Sequence, residues 1–471
     1  MDTPRPRGIV VFGGGTATNS LVDVFESLRE SRNCSLSYII PISDNGGSSS
    51  ELIRVFGGPG IGDVRSRLVR LIPDSEADAG RAAIKALFNH RLSSDPLRAR
   101  SEWLDIVEGR DQLWADMSSE KRELIRSIFN HVNLEIVKRA RPSSVFNFAK
   151  ASIGNLFLTG ARVFTGSLES AVYLLSTICA IPSTVSTLPA INSNFTHHIC
   201  AGLADGSHIT GQNAISHPSA PTALPDTRAA ADENNDNNDH VLRETEAHDR
   251  IEDATLPGSL PSLRKPYIDF SKADADDDDL PARIERIWYI NPYGHEIWPL
   301  ANPKVVAALQ AASAVIYSVG SLYTSLVPNL ILRGVGAAIS NDGPASRLRK
   351  KVMILNASVD RETGPLSRPL TATDFVRAIA RAGAESQGHF GHQGRDDEVR
   401  RYVTHLIYLE GEGVPAVDRD ELAALGVDGI RVYGRRTDGV LQYDEAGLAR
   451  ALEAVMGKPE MVRSRRNTST Q

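Results

Sequence analysis

Three consecutive glycines and a threonine, Gly13-Gly14-Gly15-Thr16, directly follow a short β-branched run at residues 8–12. The run predicts a buried strand, and the spaced apolar residues beyond it predict a helix. Glycine lets a ligand approach the backbone, and the free amides at a helix N-terminus attract phosphate. The pattern lacks the third glycine of G-x-G-x-x-G, where Thr18 stands, and it has no P-loop lysine. A phosphate cradle is predicted, and a tight turn without a ligand is the alternative.

A second polar loop, Ser-Asp-Asn-Gly-Gly-Ser-Ser-Ser at 43–50, follows the predicted strand 36–42. The carboxyl ends of parallel strands meet at one edge of an open sheet, so this loop is expected beside the first. Asp44 can hold a ribose hydroxyl, a magnesium ion or a reacting hydroxyl, whereas Ser48, Ser49 and the glycine amides suit an anion. The alternative is that Asp44 only caps the next helix.

A third loop, 57–65, is denser in glycine than a plain connection needs and ends in Gly62-Asp63-Val64-Arg65. Arg65, with Arg54 and Arg67 nearby in sequence, can supply the bidentate phosphate contacts that suit arginine. A flexible lid or an exposed basic face is the alternative for this segment.

A fourth loop, predicted at 320–328, follows the predicted strand 314–318 and contains Gly320, Ser321, Thr324 and Ser325. A strand that ends in glycine and several hydroxyl residues before a helix favours a second phosphate contact across the cleft. A simple N-cap is the alternative, although it would account for only one hydroxyl residue.

The elements around these loops alternate between strands and helices. They predict an open, mostly parallel, Rossmann-like α/β sheet flanked by helices. Residues 78–149 form a helical segment, 155–180 one or two buried helices, and 196–215 a β-hairpin on whose surface we expect His197 and His198. The remaining predictions are strands at 284–290, 351–356, 402–408 and 429–433 and helices at 303–311, 375–382 and 445–456.

Charge is concentrated in one region of the chain. Residues 226–279 hold 16 acidic and 6 basic side chains, a net charge of −10 within a chain whose total is −6. This composition buries too little apolar surface to offset ordering, so 217–282 is predicted to be a disordered acidic insertion. It divides one α/β domain into an N-terminal part, 1–216, and a C-terminal part, 283–456, followed by a flexible tail, 457–471.

Composition excludes several classes of protein. The mild net negative charge argues against nucleic-acid binding, and the absence of a long apolar run argues against a membrane span. Three cysteines without a CxxC pair do not form a disulfide framework or a zinc site. Without an apolar leader at the N-terminus, a cytoplasmic location is expected.

Taken in order, the loops resemble one family, which joins the 2-phospho-L-lactate transferases (CofD-like) to the bacterial gluconeogenesis (YvcK-like) factors. The resemblance covers about 8–216 and 283–456. Its motifs are GGGT at 13–16, DNGGSSS at 44–50, GIGDVR at 60–65, GNL at 154–156 and GSLYTSLVPNL at 320–330. Ala17 stands where the family has glycine, Asn45 where a second aspartate is commoner, and Ser50 where the family has glycine.

The resemblance implies either of two functions. The transferase branch implies that a phospho-substituted group passes from a nucleotide-activated donor to a hydroxyl, with magnesium. The other branch implies a non-catalytic UDP-sugar or dinucleotide sensor of carbon metabolism, and an NAD-dependent dehydrogenase is a less favoured third class. The resemblance implies a GDP- or UDP-linked ligand. It leaves open whether the protein forms a homodimer.

The site residues assigned on this basis are Asp44, Asn45 and Arg65 for catalysis; Gly13, Gly14, Gly15, Thr16, Ser48, Ser49, Gly62, Asp63, Asn155, Gly320, Ser321, Thr324 and Ser325 for the nucleotide and its phosphates; and Asp44 with Asp63 for magnesium.

Overall fold

The computed structural model describes residues 8–43, 46, 48–73, 78–140, 145–216, 279–291, 294–340, 347–390, 396–437 and 439–457, without the side chains of Thr16 and Ser48. Asp44 and Asn45 lie outside these residues. So do positions 217–278 of the predicted insertion and 458–471 of the predicted tail.

The strands are β1 (Gly8–Phe12), β2 (Ser35–Ile40), β3 (Val185–Pro189), β4 (His198–Leu203), β5 (His208–Thr210), β6 (Ile284–Ile290), β7 (Glu296–Ile297), β8 (Ala312–Tyr317), β9 (Lys350–Ile354), β10 (His405–Tyr408), β11 (Asp428–Arg431), β12 (Gly434–Thr437) and β13 (Val440–Tyr443). The helices are α1 (Thr16–Asn19), α2 (Val22–Arg32), α3 (Ser48–Phe56), α4 (Gly62–Arg70), α5 (Ala79–Asn89), α6 (Pro96–Glu108), α7 (Ser119–Arg139), α8 (Ile153–Thr165), α9 (Leu168–Ile178), α10 (Gln212–Ser216), α11 (Pro303–Ala311), α12 (Val327–Leu330), α13 (Val335–Ser340), α14 (Ala372–Glu385), α15 (Arg419–Ala424) and α16 (Glu445–Met456).

Seven strands form one parallel sheet in the order β11-β10-β9-β8-β1-β2-β3. Counted along the chain this is 3-2-1-4-5-6-7, the strand order of dinucleotide-binding Rossmann sheets with one further strand. All five residues of β1 are buried, as expected for a central strand covered by helices on both faces. The predicted open parallel sheet is confirmed, and its strand order reverses between β1 and β8.

The helical segment packs around an aromatic core. Trp103 of α6 stacks on Phe148 with ring centroids 5.9 Å apart and meets the edge of Phe129 of α7 at 5.4 Å. Phe129 in turn contacts Phe157 of α8 at 6.0 Å. Local signals begin these helices, since the Asp95 side chain accepts the Arg98 amide directly before Pro at the first helical position. The segment therefore anchors α8, which borders the predicted ligand loops.

A second, antiparallel sheet has the order β5-β4-β6-β7. The predicted hairpin at 196–215 is present as β4 and β5, but it pairs with β6 from beyond the acidic insertion, and α10 occupies its predicted end. The residues on either side of positions 217–278 both contact the segment 361–366. Arg361 Nε donates to Ile215 O at 3.2 Å, and Leu366 N donates to Asp279 Oδ2 at 2.7 Å.

Several predicted boundaries differ from the structure. The loop predicted at 320–328 contains a π-helical turn, Leu322–Leu326, that leads directly into α12. Strand β3 and the β12–β13 hairpin were not predicted, and the strand predicted from 402 begins at His405 because a 3-10 helix, Asp396–Arg401, precedes it. None of the helices in the described part of the chain is both long and apolar enough to cross a membrane.

Candidate functional site

The glycine turn after β1 is packed so tightly that side chains cannot replace its hydrogens. A Cβ on Gly13 would overlap Thr18 Oγ1, and a Cβ on Gly14 would lie 2.6 Å from Ser325 Oγ and 3.0 Å from Asp63 Oδ2. None of Gly13, Gly14 and Gly15 has a positive φ, so glycine is required here for close approach rather than for an unusual backbone conformation. The glycine turn, which follows β1, therefore lies against Asp63 of α4 and against Ser325 of the π-helical turn.

The N-terminus of α4 faces this glycine turn. Asp63, in its first turn, is half-buried, and a Cβ on Gly15 would overlap its Oδ1 atom. Gly62, the first residue of the helix, is also partly exposed. The sequence predicted that these two motifs share a ligand, and the structure brings them into contact.

Arg65 follows Asp63 by two residues in the first turn of α4 and is 8% exposed. Its Nε donates to Asn155 Oδ1 at 3.2 Å, and Gly154 leaves the space that its side chain needs, since a Cβ there would lie 2.7 Å from Arg65 Cδ. Burial lowers the pKa of Arg65 to about 10; Arg91 lowers it further, and Asp63 opposes the shift. Arg65 and Asn155 are thus brought together, with the guanidinium held in a desolvated position.

The neighbouring arginines have structural partners. Arg67 is fully buried, donates to Gly14 O at 3.1 Å and to Thr18 O at 3.4 Å, and lies 4.4 Å from the centroid of the Tyr38 ring. Arg54 pairs with Glu51 at 2.6 Å in the interior. Of the three arginines considered as phosphate ligands, Arg67 therefore supports the glycine turn from beneath and Arg54 belongs to a buried ion pair.

The loop after β8 is fixed by contacts to its neighbours. Gly320 has a φ of +141°, which only glycine adopts without strain, and Asn356 holds it by accepting from its N at 3.0 Å and donating to its O at 2.9 Å. Thr18 Oγ1 donates to Val319 O at 2.9 Å, which ties this loop to the first helix turn after the glycines. Ser321 and Ser325 begin and line the π-helical turn, and Ser325 contacts Gly14.

Glu362 occupies two backbone amides of the loop in which the sequence predicted a second phosphate contact. Its carboxyl oxygens accept from Tyr323 N at 2.9 Å, from Thr324 N at 3.0 Å and from the Thr324 hydroxyl. Burial raises the pKa of Glu362 to about 8, and the Asp360 charge adds to this shift. Thr324, assigned to the nucleotide from the sequence, is buried and faces Glu362, so its contacts support the turn.

The remaining assigned residues are placed as follows. Ser49 is buried in the first turn of α3, with its amide donating to Gly46 O at 3.2 Å, and Ser48 begins that helix. Thr16 begins α1, which has a single turn, so any helix-dipole contribution to anion binding there is small. Because Asp44 and Asn45 lie outside the described residues, their expected approach to Arg65 stays a prediction.

The described residues offer magnesium few protein ligands. They contain no group of three or more His, Cys, Asp or Glu side chains that could hold a metal ion. Asp63 is the assigned carboxylate beside the glycine turn, and magnesium commonly binds one or two carboxylates together with substrate phosphates. The described residues at the glycine turn therefore supply one carboxylate, Asp63, and magnesium stays a prediction.

Two buried polar residues near the loops were missed from the sequence. Arg162 of α8 is 8% exposed and donates to Gly57 O at 2.8 Å, with its guanidinium flat against Gly58. His198, expected on the hairpin surface, is 1% exposed, whereas His197 is only partly buried. The hydrophobic periodicity of the sequence does not predict that these side chains are buried, because each is covered by elements that are distant in sequence.

The whole arrangement matches a known family. The model of the 2-phospho-L-lactate transferase CofD family matches residues 9–430, which include all of β1 but its first residue and every assigned site residue. The chain belongs to the CofD family. An uncharacterised protein of Saccharomyces cerevisiae is 40% identical over 411 residues, which are 85% of this chain and 90% of the yeast protein.

More distant CofD-family relatives carry the name gluconeogenesis factor. The protein of that name from Halalkalibacterium halodurans is 22% identical over 97% of this chain and 98% of its own length. A crystal structure of a UPF0052 family protein from Bacillus halodurans superimposes with a TM-score of 0.55 at 20% identity, covering 95% of this chain and 100% of the other. This likeness supports the fold of the CofD-family chain.

Proposed function

We propose that this CofD-family protein binds a GDP- or UDP-linked ligand in the crevice at the carboxyl edge of the large sheet. The observation that carries the proposal is the contact between the glycine turn and Ser325 where the strand order reverses between β1 and β8. Ligands of open α/β sheets bind at this switch point. The backbone of Gly13–Gly15 and the hydroxyls of Ser321 and Ser325 are the proposed diphosphate contacts.

Charge in the crevice supports an anionic ligand. The Arg65 side chain donates one described hydrogen bond, from Nε to the neutral amide oxygen of Asn155. The two terminal nitrogens of its guanidinium group are the proposed contacts for an anion. Asp63 lies where a magnesium ion on the diphosphate would meet one protein carboxylate. When bound, magnesium would neutralise part of the diphosphate charge. Asp63 would orient that ion, and Arg65 would hold the anionic end of the ligand.

The proposed activity is transfer of a phospho-substituted group to a hydroxyl acceptor, as the family name describes. Transfer of this type relies mainly on positioning and charge stabilisation, so a site with few acids and bases suffices. Asp44 is proposed to orient or deprotonate the acceptor hydroxyl, with Asn45 beside it. The Asp44→Asn variant should then keep ligand affinity and lose turnover.

A second candidate is a non-catalytic regulator that binds the same kind of ligand. It is favoured by the relatives named gluconeogenesis factor, which align over nearly all of this chain. If the protein is a regulator, the parent protein and the Asp44→Asn variant should respond equally well to the ligand. A homodimer stays a prediction, which sedimentation of the purified protein measures.

The deciding experiment identifies the ligand directly. Native mass spectrometry of the purified protein should reveal any retained small molecule. Calorimetric titration with UDP, UDP-glucose, GDP and NAD⁺, with and without MgCl₂, should show binding of a uridine or guanosine ligand that magnesium strengthens. If none of the four binds, the proposed function is wrong; if only NAD⁺ binds, the dehydrogenase class replaces it.

A further inference from the structure

Arg67 is a buried cation whose described contacts include no carboxylate. Its side chain is 0% exposed, its two hydrogen bonds go to the carbonyl oxygens of Gly14 and Thr18, and its guanidinium lies over the Tyr38 ring. Its Nε atom is also buried and has no hydrogen-bond partner among the described residues. Buried charges in proteins are usually paired, because their removal from water is costly. An arginine kept here in this way indicates that the neutralising anion comes from a ligand.

Arg67 keeps its charge despite this burial. Desolvation lowers its pKa to about 10, and Tyr38 and Asp63 oppose the shift, so the guanidinium is still protonated at pH 7. The glycine turn has no P-loop lysine, and α1, which follows the turn, is too short to contribute a strong helix dipole. Arg67 therefore supplies, from behind the turn, the positive charge that the turn itself lacks.

The contact with Gly14 fixes the direction of one peptide plane. Gly14 O accepts from Arg67 Nη2 at 3.1 Å, so this carbonyl points towards the buried guanidinium. The peptide bond from Gly14 to Gly15 is trans, and the N–H of a trans peptide points opposite to the carbonyl before it. The Gly15 amide thus points away from Arg67, and it donates to no acceptor among the described residues. Buried amides are normally paired, so this donor is available to a ligand.

The same guanidinium holds the other end of the turn. Its Nη1 atom donates to Thr18 O at 3.4 Å, and Thr18 Oγ1 donates to Val319 O in the loop after β8. Ser325, further along that loop, lies against Gly14. A planar fork can reach two carbonyls at once, which the single ammonium group of lysine does less well. Arg67 therefore fixes the glycine turn relative to the second proposed phosphate contact.

We infer that Arg67 is a positioning residue for the diphosphate of the ligand, which turns the Gly15 amide towards the phosphates and places an unneutralised positive charge behind that amide. The inference rests on the proposed function and adds to it one residue and one named backbone donor. Arg67 acts through the peptide group and does not touch the ligand. Because screening is weak in the protein interior, its attraction should be stronger for a diphosphate than for a monophosphate.

The first test separates the charge of Arg67 from the shape that it gives to the turn. Arg67→Met keeps a long side chain without the charge, so calorimetry should show about 10-fold weaker binding of UDP and a smaller loss for UMP. Arg67→Lys restores the charge without the fork and should bind UDP about threefold more tightly than Arg67→Met. GDP and GMP are titrated in parallel.

The matched control lies on the same helix. Arg70→Met also removes one positive charge from α4, but Arg70 pairs with Asp23 at 2.6 Å and is partly exposed. This variant should bind UDP and GDP within about twofold of the parent protein. Arg67 and Arg70 therefore differ in their contact with the glycine turn, and the comparison isolates that contact.

The second test observes the Gly15 amide in the parent protein. Glycine follows glycine only at positions 14, 15, 47 and 58. When glycine is labelled with ¹³C at the carbonyl and with ¹⁵N, a carbonyl-selected NMR spectrum contains these four amides alone. The signal that is lost in Gly15→Ala, while the Gly14 signal is retained, belongs to Gly15. UDP should shift this signal downfield, because a hydrogen bond to a charged oxygen deshields the amide proton, and uridine should not.

The outcomes that overturn the inference differ from those that concern the proposed function. If the parent protein binds UDP or GDP and Arg67→Met binds it equally well, the role of Arg67 is wrong and the proposed function stands. The same holds if Arg67→Lys loses as much affinity as Arg67→Met, since a purely structural role predicts equal losses. If Arg67→Met does not fold, a Gly15 signal that stays unmoved by bound nucleotide overturns the inference. If the parent binds neither series, both proposals fail together.

Discussion

The carboxylate of Asp63 lies so close to the backbone of Gly15 that a Cβ on residue 15 would overlap Oδ1 and lie 3.0 Å from Cγ. A glycine is therefore required at position 15 by a side chain of the protein itself. Because Asp63 is also proposed to face the ligand, a double variant can separate an effect on stability from an effect on binding.

The first prediction uses this contact. Gly15→Ala should destabilise the fold by about 1–3 kcal/mol, because the added methyl displaces Asp63, as overpacking does. Adding Asp63→Ala to the same chain should restore most of the stability, since it removes the overlapping atoms. Chemical denaturation measures both effects. Nucleotide affinity should stay low in the double variant, and its full recovery would show that the turn and Asp63 do not hold the diphosphate.

The second prediction concerns the buried guanidinium at the crevice. Arg65→Lys keeps a positive charge but loses the planar fork and the Nε donor to Asn155, so an anionic ligand should bind about 1–3 kcal/mol more weakly in calorimetry. The exposed Arg110→Lys serves as the matched control and should leave affinity unchanged. Arg67→Lys should instead lower Tm, because Arg67 supports Gly14 and Thr18. Equal affinity for the parent and Arg65→Lys would remove Arg65 from the site.

The third prediction is a pH dependence carried by Glu362. Its folded-state pKa is raised to about 8 by burial, above the ordinary value of 4.5. The folded protein therefore holds a proton that the unfolded chain has lost, and the resulting stability is complete below about pH 4.5 and is lost as pH rises to about 8. The Glu362→Gln variant lacks this dependence.

The measurement compares the free energy of unfolding of the parent and Glu362→Gln at pH 5 and pH 8. The stability of the parent relative to the variant should fall by on the order of a few kcal/mol between these values. A difference that is constant over this range would show that the Glu362 pKa is not raised. His208→Gln, at an exposed strand position, serves as the control for substitution itself.

The fourth prediction concerns the acidic insertion. Deletion of 226–278 should leave Tm and nucleotide affinity nearly unchanged, because a segment of this polar, acidic composition is expected to contribute few apolar contacts. Deletion of 226–279 removes in addition Asp279, which accepts the Leu366 amide at 2.7 Å. The longer deletion should therefore cost about 1 kcal/mol more. If the shorter deletion lowers Tm by several degrees and abolishes binding, the insertion is part of the folded domain.

Local patterns predicted those elements whose signals lie within a few residues. The helices predicted at 303–311 and 445–456 occur with these bounds because Asn302 and Asp444 cap them through the Lys304 and Gly447 amides. The central strand β1 and the glycine turn after it were also predicted, since a β-branched run and three glycines are adjacent in the chain. The order of the loops was sufficient to predict the family.

The tertiary structure alone decided which buried groups surround these loops. Glu362 takes the amides of Tyr323 and Thr324 although it lies 38 residues from Thr324. His198 becomes buried because β4 pairs with β6 across the acidic insertion and its sheet packs on α3. Sequence patterns report local backbone preference and the average burial of a face. The burial of one polar side chain depends instead on which distant segments cover it, and that is set only when the sheets and helices pack together.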